Sequence, residues 1–194
     1  RYDVAKFYNV LVERNSEGWI NKVYYPETKS TFKGECGSLR GYKTRVLPKD
    51  FSKPNIGITG VSSDFYGRNS FKDYGGGKYV VIVGGEEDCL AAYQMLRDYQ
   101  VQKKQDDYDP IPVVSVTSGE GSLAKQCAEQ YDWLNQFENI IICMDNDDAG
   151  RKAAQEALKV LPEYKARVMY CSLKDPSLML QEGKQKQFLS NFWD

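Results

Sequence analysis

The chain contains no histidine. That removes imidazole from every acid–base and metal-ligating role, so proton transfer has to use carboxylates, Lys, Tyr, Cys or water. Its five cysteines, Cys36, Cys89, Cys127, Cys143 and Cys171, are scattered and form no C-x-x-C pair. A structural zinc site draws on Cys and His at short spacings and is not expected in this chain. The odd count, with the apolar neighbours of Cys143 and Cys171, reads as reduced, buried thiols of a cytoplasmic protein. No apolar run approaches the roughly 20 residues that a membrane-spanning helix needs. No signal peptide is visible, and the first residue is Arg1, which reads as a piece or trimmed product of a longer protein. No phosphate-binding G-K-[ST] opens a helix. In D-Y-G-G-G-K, Lys78 opens a strand, so the three glycines read as a hinge or tight connection.

The 194 residues suffice for one large domain or two small ones, and 41% hydrophobic residues suffice for a normal core. The net charge is −1 but uneven. Residues 1 to 77 hold 13 Lys/Arg against 8 Asp/Glu, net +5, and residues 78 to 194 hold 13 against 19, net −6. A basic half beside an acidic half suits a polyanion grip joined to a cation-binding site. Two solvated surfaces with a chance imbalance give the same numbers.

The patterns divide at the same place. W-I-N-K-V-Y-Y-P alternates up to Pro26, and Y-K-T-R-V-L-P alternates up to Pro48, which predicts short antiparallel strands in a small α+β subdomain over residues 1–77. K-D-F-S-K-P-N-I-G-I-T-G reads as loop. From 78 onward, Y-V-V-I-V-G, I-P-V-V-S-V-T, N-I-I-I-C-M-D and A-R-V-M-Y-C-S read as buried strands. Helical stretches separate them: E-E-D-C-L-A-A-Y-Q-M-L-R-D-Y-Q, G-S-L-A-K-Q-C-A-E-Q-Y-D-W-L-N-Q-F and N-D-D-A-G-R-K-A-A-Q-E-A-L-K-V-L-P. Continuously apolar strands alternating with helices mean an α/β domain over 78–178, a mostly parallel four-stranded sheet covered on both faces. Residues 179–194 read as a short helical tail.

Ligands in such sheets bind beyond the carboxyl ends of the strands. The acids fall there. Glu86, Glu87 and Asp88 follow the first strand, Asp145 and Asp147 the third, and Asp175 the fourth. Asp145 and Asp147 are two residues apart, so strand periodicity sends both side chains to one side. Hard oxygen ligands of this kind suit Mg²⁺ or Mn²⁺. Taken alone, the pair reads equally as solvated loop acids. Asp148 reads as the N-cap of the following helix, and Arg151 and Lys152 as its solvated face.

V-V-I-V-G-G-E-E-D-C-L, then I-I-I-C-M-D-N-D-D-A-G-R-K-A, then C-S-L-K-D together resemble a Toprim domain, the metal-dependent catalytic fold of primases, type IA and II topoisomerases and some nucleases. The resemblance is strongest to the primase half of the primase–helicases of short-tailed phages, to which mitochondrial Twinkle is related. It includes Y-Y-P-E-T-K and G-Y-K-T-R-V-L-P-K-D-F and covers roughly residues 20 to 178. It implies a template-holding N-terminal subdomain at 1–77 and a catalytic Toprim domain at 78–178. The implied catalytic acids are Glu86, Asp88, Asp145 and Asp147, and the implied ligands for Mg²⁺ or Mn²⁺ are Asp145, Asp147 and Asp175. It places Lys43 and Arg45 toward nucleotide phosphates. They are also alternate residues of one strand between Arg40 and Lys49, which fits phosphate contact or a plain polar strand face. Lys174, beside Asp175, is a further phosphate candidate. The implied partners are single-stranded DNA template and ribonucleoside triphosphates. The family's zinc module and ring helicase have no counterpart in this sequence, which therefore reads as the polymerising core, acting in the cytoplasm of an infected bacterium.

One position departs from the resemblance. The family's E-G-E-x-D reads Gly84-Gly85-Glu86-Glu87-Asp88 here, so the first Glu, the proposed acid or base, is replaced by Gly84. Three accounts follow: the site has lost its base, Glu86 or metal-bound water stands in, or the domain has become a non-catalytic single-stranded DNA-binding module. A Toprim nuclease or topoisomerase fragment, or a plain Mg²⁺-using nucleotide binder, remains a further alternative.

Overall fold

The computed structural model describes residues 1–31, 37–48, 54–71, 77–105 and 107–194. Cys36, Lys49 and residues 75 and 76 of the glycine run lie outside them. The first half forms an antiparallel sheet in the order β1 (Leu11–Arg14), β2 (Ile20–Lys29), β3 (Ser38–Val46), β4 (Ile56–Gly57). The strand expected to stop at Pro26 runs through it to Lys29. Pro26 lies past the reach of β1, whose last partner along β2 is Tyr24, so one side of the strand needs no donor there. A helix that the sequence patterns did not reveal, α1 (Tyr2–Phe7), precedes the sheet. Its apolar signal is only Val4, Phe7 and Tyr8.

The second half is a four-stranded parallel sheet flanked by helices. The strands are β5 (Gly77–Val83), β6 (Val113–Ser115), β7 (Phe137–Cys143) and β8 (Ala166–Val168), in the order β6-β5-β7-β8. Alternation along the strands feeds two cores. Val81, Val83, Val113, Ile141 and Cys143 pack with Tyr8 of the N-terminal segment, with Tyr93 and Met95 of α2 (Glu86–Gln102) and with two C-terminal helices, α6 (Pro176–Gln181) and α7 (Gln185–Trp193). Val80, Ile82, Val114, Ile140 and Ile142 pack with α3 (Leu123–Glu129), α4 (Tyr131–Leu134) and α5 (Asp148–Leu158). Helices on both faces are why these strands are apolar without a break. The helix expected over 121–137 is two, because the chain breaks at Gln130. That buried amide accepts hydrogen bonds from Phe65 N (3.2 Å) and Arg68 Nη1 (3.1 Å). Among the described residues, no helix is long and apolar enough to cross a membrane.

Aromatic rings join the halves. Tyr66 stacks on Tyr8 (5.7 Å) and meets Tyr25 edge-on (5.6 Å), and Tyr8 meets Tyr93 of α2 (5.3 Å). Tyr66 also exchanges both backbone hydrogen bonds with Ser115, which closes the open edge of β6. The Tyr8 hydroxyl donates to Val113 O at 2.8 Å. The basic sheet is thereby held against the strand ends of the parallel sheet.

The C-terminal helix belongs to the same core, with Phe188 and Phe192 fully buried. Phe192→Ala should therefore cost about 3–5 kcal/mol in urea unfolding. A loss below about 1 kcal/mol would show α7 to be peripheral.

Candidate active site

The chain leaves β5 through α2 to reach β6 on one side, and later crosses to β7 on the other. The ends of β5 and β7 diverge, and a ligand crevice belongs there. The turn out of β5 is Gly84-Gly85. Gly85 is the N-cap of α2 in extended conformation, and Glu86, Glu87 and Asp88 fill the first turn, where the helix dipole favours negative charge. A cleft of about 330 Å³ opens at this edge, lined among others by Arg45, Glu86, Asp88, Asp145, Lys174 and Asp175. The loops of β5, β7 and β8 converge as the strand-end rule requires.

Glu86 is 1% exposed. Its Oε1 accepts from Lys43 Nζ at 2.7 Å, and its Oε2, which has no hydrogen bond, lies 3.8 Å from Arg45 Nη2. Lys43 also donates to Thr117 O (3.3 Å), and Arg45 Nε stands 3.6 Å from Glu87 Oε1. Both cations come from β3, on the one face that their spacing predicts, and both reach the acidic edge.

Asp88 accepts from Ser177 N at 3.1 Å. Burial pushes its carboxyl up to about 7, with Asp175, Asp145 and Glu87 acting in the same direction against that hydrogen bond. Asp145 Oδ2 lies 3.1 Å from Lys174 Nζ, which raises the lysine's pKa. Asp175 is the N-cap of α6, accepting from Leu178 N at 2.7 Å, while still lining the cleft.

Asp147 is arranged differently from the expectation. β7 ends at Cys143, so the two-residue periodicity of a strand does not extend to 145 and 147. Asp147 caps α5, accepting from Gly150 N at 2.9 Å, and it does not line the cleft with Asp145. The cap is thus Asp147 and not Asp148, which is fully exposed and pairs with Arg151 (3.0 Å). Gly150 is required by close approach, since a Cβ there would meet Asp145 O at 2.1 Å. Arg151 also donates to Asn146 Oδ1 (2.8 Å), and Asn146 N donates to Lys174 O (2.6 Å), tying the β7 and β8 loops together.

A carboxylate that sequence reasoning missed stands among these. Glu120, in the turn after β6, accepts from Asp145 N at 2.7 Å through Oε1. Burial raises its pKa, with Asp145 and Asp147 adding to the effect and the Asp145 amide opposing it. The strand-end rule could have found it, because Glu120 follows β6 as the other acids follow β5, β7 and β8. It went unremarked because it lies in the short Ser118-Gly119-Glu120 connection between the expected strand and the expected helix.

Residues 81–179 match the Toprim-like family model, half of the chain, and the chain belongs to that family. It is similar to the DNA helicase/primase of enterobacteria phage T3, 38% identical over 121 residues, which is 62% of this chain and 19% of that protein. The chain thus spans about a fifth of that relative's length. Its structure is similar to the primase fragment of the bacteriophage T7 primase-helicase (26% identity, TM-score 0.77, 98% of this chain and 70% of that one). It is equally similar to T7 primase domains seen with the T7 lagging-strand DNA polymerase, an RNA/DNA hybrid and dTTP (26% identity, TM-score 0.78, 99% and 86%).

Asp88 makes a pH prediction. Its folded pKa is raised, so its contribution to stability is full below about 4 and is lost as pH rises through about 7. Without divalent cations, the wild-type protein should lose up to about 4 kcal/mol relative to Asp88→Asn between pH 4 and 8. Parallel pH profiles of the two proteins in urea unfolding would show that Asp88 titrates normally.

Proposed function

We propose that this chain is the polymerising core of a phage-type DNA primase, joining ribonucleotides into short RNA primers on a single-stranded DNA template. The observation that carries the reading is the meeting of two opposite charge sets at one switch point. A cleft of acids at the parallel-strand ends faces Arg45, and Lys43 beneath it, from a basic antiparallel sheet. Phosphoryl transfer needs both, hard oxygen ligands on one side and phosphate-binding cations on the other. The likeness to the phage T3 and T7 proteins supports the same reading. A role in phage replication would put the chain in the cytoplasm of an infected bacterium, in a protein that also carries zinc-binding and helicase parts.

The residues suit Mg²⁺ or Mn²⁺. Among the described residues no three metal-ligating side chains form a ready-made cage. Mg²⁺ needs none, since it keeps several waters and takes one or two carboxylates with substrate phosphates. All donors at the cleft are oxygens, and the burden of like charge on Asp88 is what a cation relieves. The Lys174 ammonium beside Asp145 marks where positive charge is favoured. Asp145 and Asp175 would hold the ion, with Asp88 adjacent and Asp147 contributing if it leaves its cap. Such an ion neutralises charge on the nucleotide phosphates and orients the attacking 3′-hydroxyl. Lys174 and Arg45, at the cleft, bind phosphate. Lys43 holds Glu86 in place, and Glu86 in turn aligns Arg45.

A second reading, a single-stranded DNA-binding module without chemistry, is favoured by one observation, the missing side chain at Gly84. One assay separates the readings. The chain is incubated with single-stranded template, labelled ribonucleotides and Mg²⁺ or Mn²⁺, with and without a dinucleotide primer. We expect extension that falls at least about 10-fold in Asp145→Asn. Binding without extension supports the module, and template cleavage supports a nuclease.

Arg45 and Lys43 should behave differently when removed. Arg45→Ala should weaken single-stranded DNA binding and lower the slope of log K against log salt by roughly 0.7, with little change in stability. Lys43→Ala leaves Glu86 buried without its partner and should cost about 3–5 kcal/mol in unfolding. Unchanged DNA affinity in Arg45→Ala places the phosphate track elsewhere.

A further inference from the structure

We propose that Glu120 supplies, from the β6–α3 turn, the carboxylate that position 84 lacks, and that Gly84 is the space that admits it. The proposal deepens the reading of the cleft as a nucleotidyl-transfer site and rests on that reading. The backbone does not account for the glycine, because Gly84 does not adopt the positive φ that excludes side chains. Space does. A Cβ at position 84 would stand 2.9 Å from Glu120 Oε1, closer than a Cβ tolerates, and 3.4 Å from both Glu120 Cγ and Asp145 Oδ1.

A side chain at position 84 would push the end of Glu120 away from the place where its 2.7 Å hydrogen bond from Asp145 N holds it. A position-84 side chain and the Glu120 carboxylate therefore crowd one another in the space beside Asp145. The turn that carries Glu120 is built for the reach. Gly119, just before it, takes φ +76, in the left-handed region that favours glycine, and turns the chain at Glu120. Glu86 is not available for the same task. It is buried, held by Lys43 at 2.7 Å, and belongs to the other side of the turn.

Glu120 is a positioning residue. Its Oε1 fixes the backbone from which the Asp145 carboxylate projects, and its charge adds to the field that draws a divalent cation to the edge. A merely structural cap needs only the hydrogen bond, which a glutamine also accepts. A carboxylate that also helps draw the cation needs the charge, which glutamine lacks.

Five proteins decide between these: wild type, Glu120→Gln, Gly84→Glu, Glu120→Gly, and the double variant Gly84→Glu/Glu120→Gly. Each is measured for Mn²⁺ affinity by calorimetry with the metal alone, for melting temperature, and for primer extension. Glu120→Gln should keep its melting temperature, bind Mn²⁺ about 10-fold more weakly and extend primers about 10-fold or more slowly. Gly84→Glu alone should melt lower, because two carboxylates compete for one space. The double variant should recover both the melting temperature and Mn²⁺ affinity to within about 3-fold of wild type, where Glu120→Gly alone, run as a control, does not. Wild-type Mn²⁺ affinity in Glu120→Gln overturns the proposal, and so does a double variant no better than Glu120→Gly. If wild type extends no primer, the primase reading fails, while the Mn²⁺ and melting measurements still decide whether positions 84 and 120 share one carboxylate.

Discussion

A carboxylate buried as deeply as Glu86 is tolerated only beside a cation, and the cation comes from a different sheet. Lys43 crosses from β3 to meet it at 2.7 Å, with Arg45 following from the same face. This contact sets the relation of the two halves at the one place where it matters for chemistry. The aromatic layer of Tyr8, Tyr25, Tyr66 and Tyr93 gives the halves their adhesion, but rings in contact tolerate small slides. A buried charge pair does not, because displacement by an ångström or two leaves both partners desolvated and unmatched. Pairing thus fixes where the basic sheet stands relative to the cleft.

The opposite face of the cleft is held by backbone. Three helices, α2, α5 and α6, begin at this edge, each with an acid at its cap or in its first turn. Parallel topology makes that arrangement unavoidable, since every strand end is followed by a helix start. Like charges gathered in this way repel, and the raised pKa values of Asp88 and Glu120 both record it, though burial is the larger cause in each. Cross-loop hydrogen bonds keep the acids together: Ser177 N to Asp88, Asn146 N to Lys174 O, and Asp145 N to Glu120. The acids at this edge are thereby held in a fixed arrangement.

Membership in the Toprim-like family and likeness to the phage T7 primase structures bear on how Gly84 is understood. Read along the chain, it is a glycine at a motif position where the resemblance implies an acid. Seen in space, the position has a neighbour: a Cβ at 84 would stand 2.9 Å from the Glu120 carboxylate. A motif describes which element carries a group, whereas chemistry depends only on where the group stands.

Much of the architecture could be read from one dimension. Unbroken apolar runs in β5 and β7 required cover on both faces, and the strand-end rule then gathered Glu86, Asp88, Asp145 and Asp175 on one edge without coordinates. The spacing of Lys43 and Arg45 put both on one face of β3. These are local regularities with long-range consequences, and sequence determined them. Tertiary structure alone decided what each group meets. It turned Asp147 into the cap of α5, broke the helix at Gln130 around the 65–68 segment, carried β2 through Pro26 past the end of β1, and docked α1 through three apolar residues too few to show a period. It also brought Glu120 over Gly84 from a turn 36 positions away in the chain. Periodicity reports which face a residue occupies within its own element, but the contacts across elements depend on how those elements pack, and no pattern along a single strand or helix carries that.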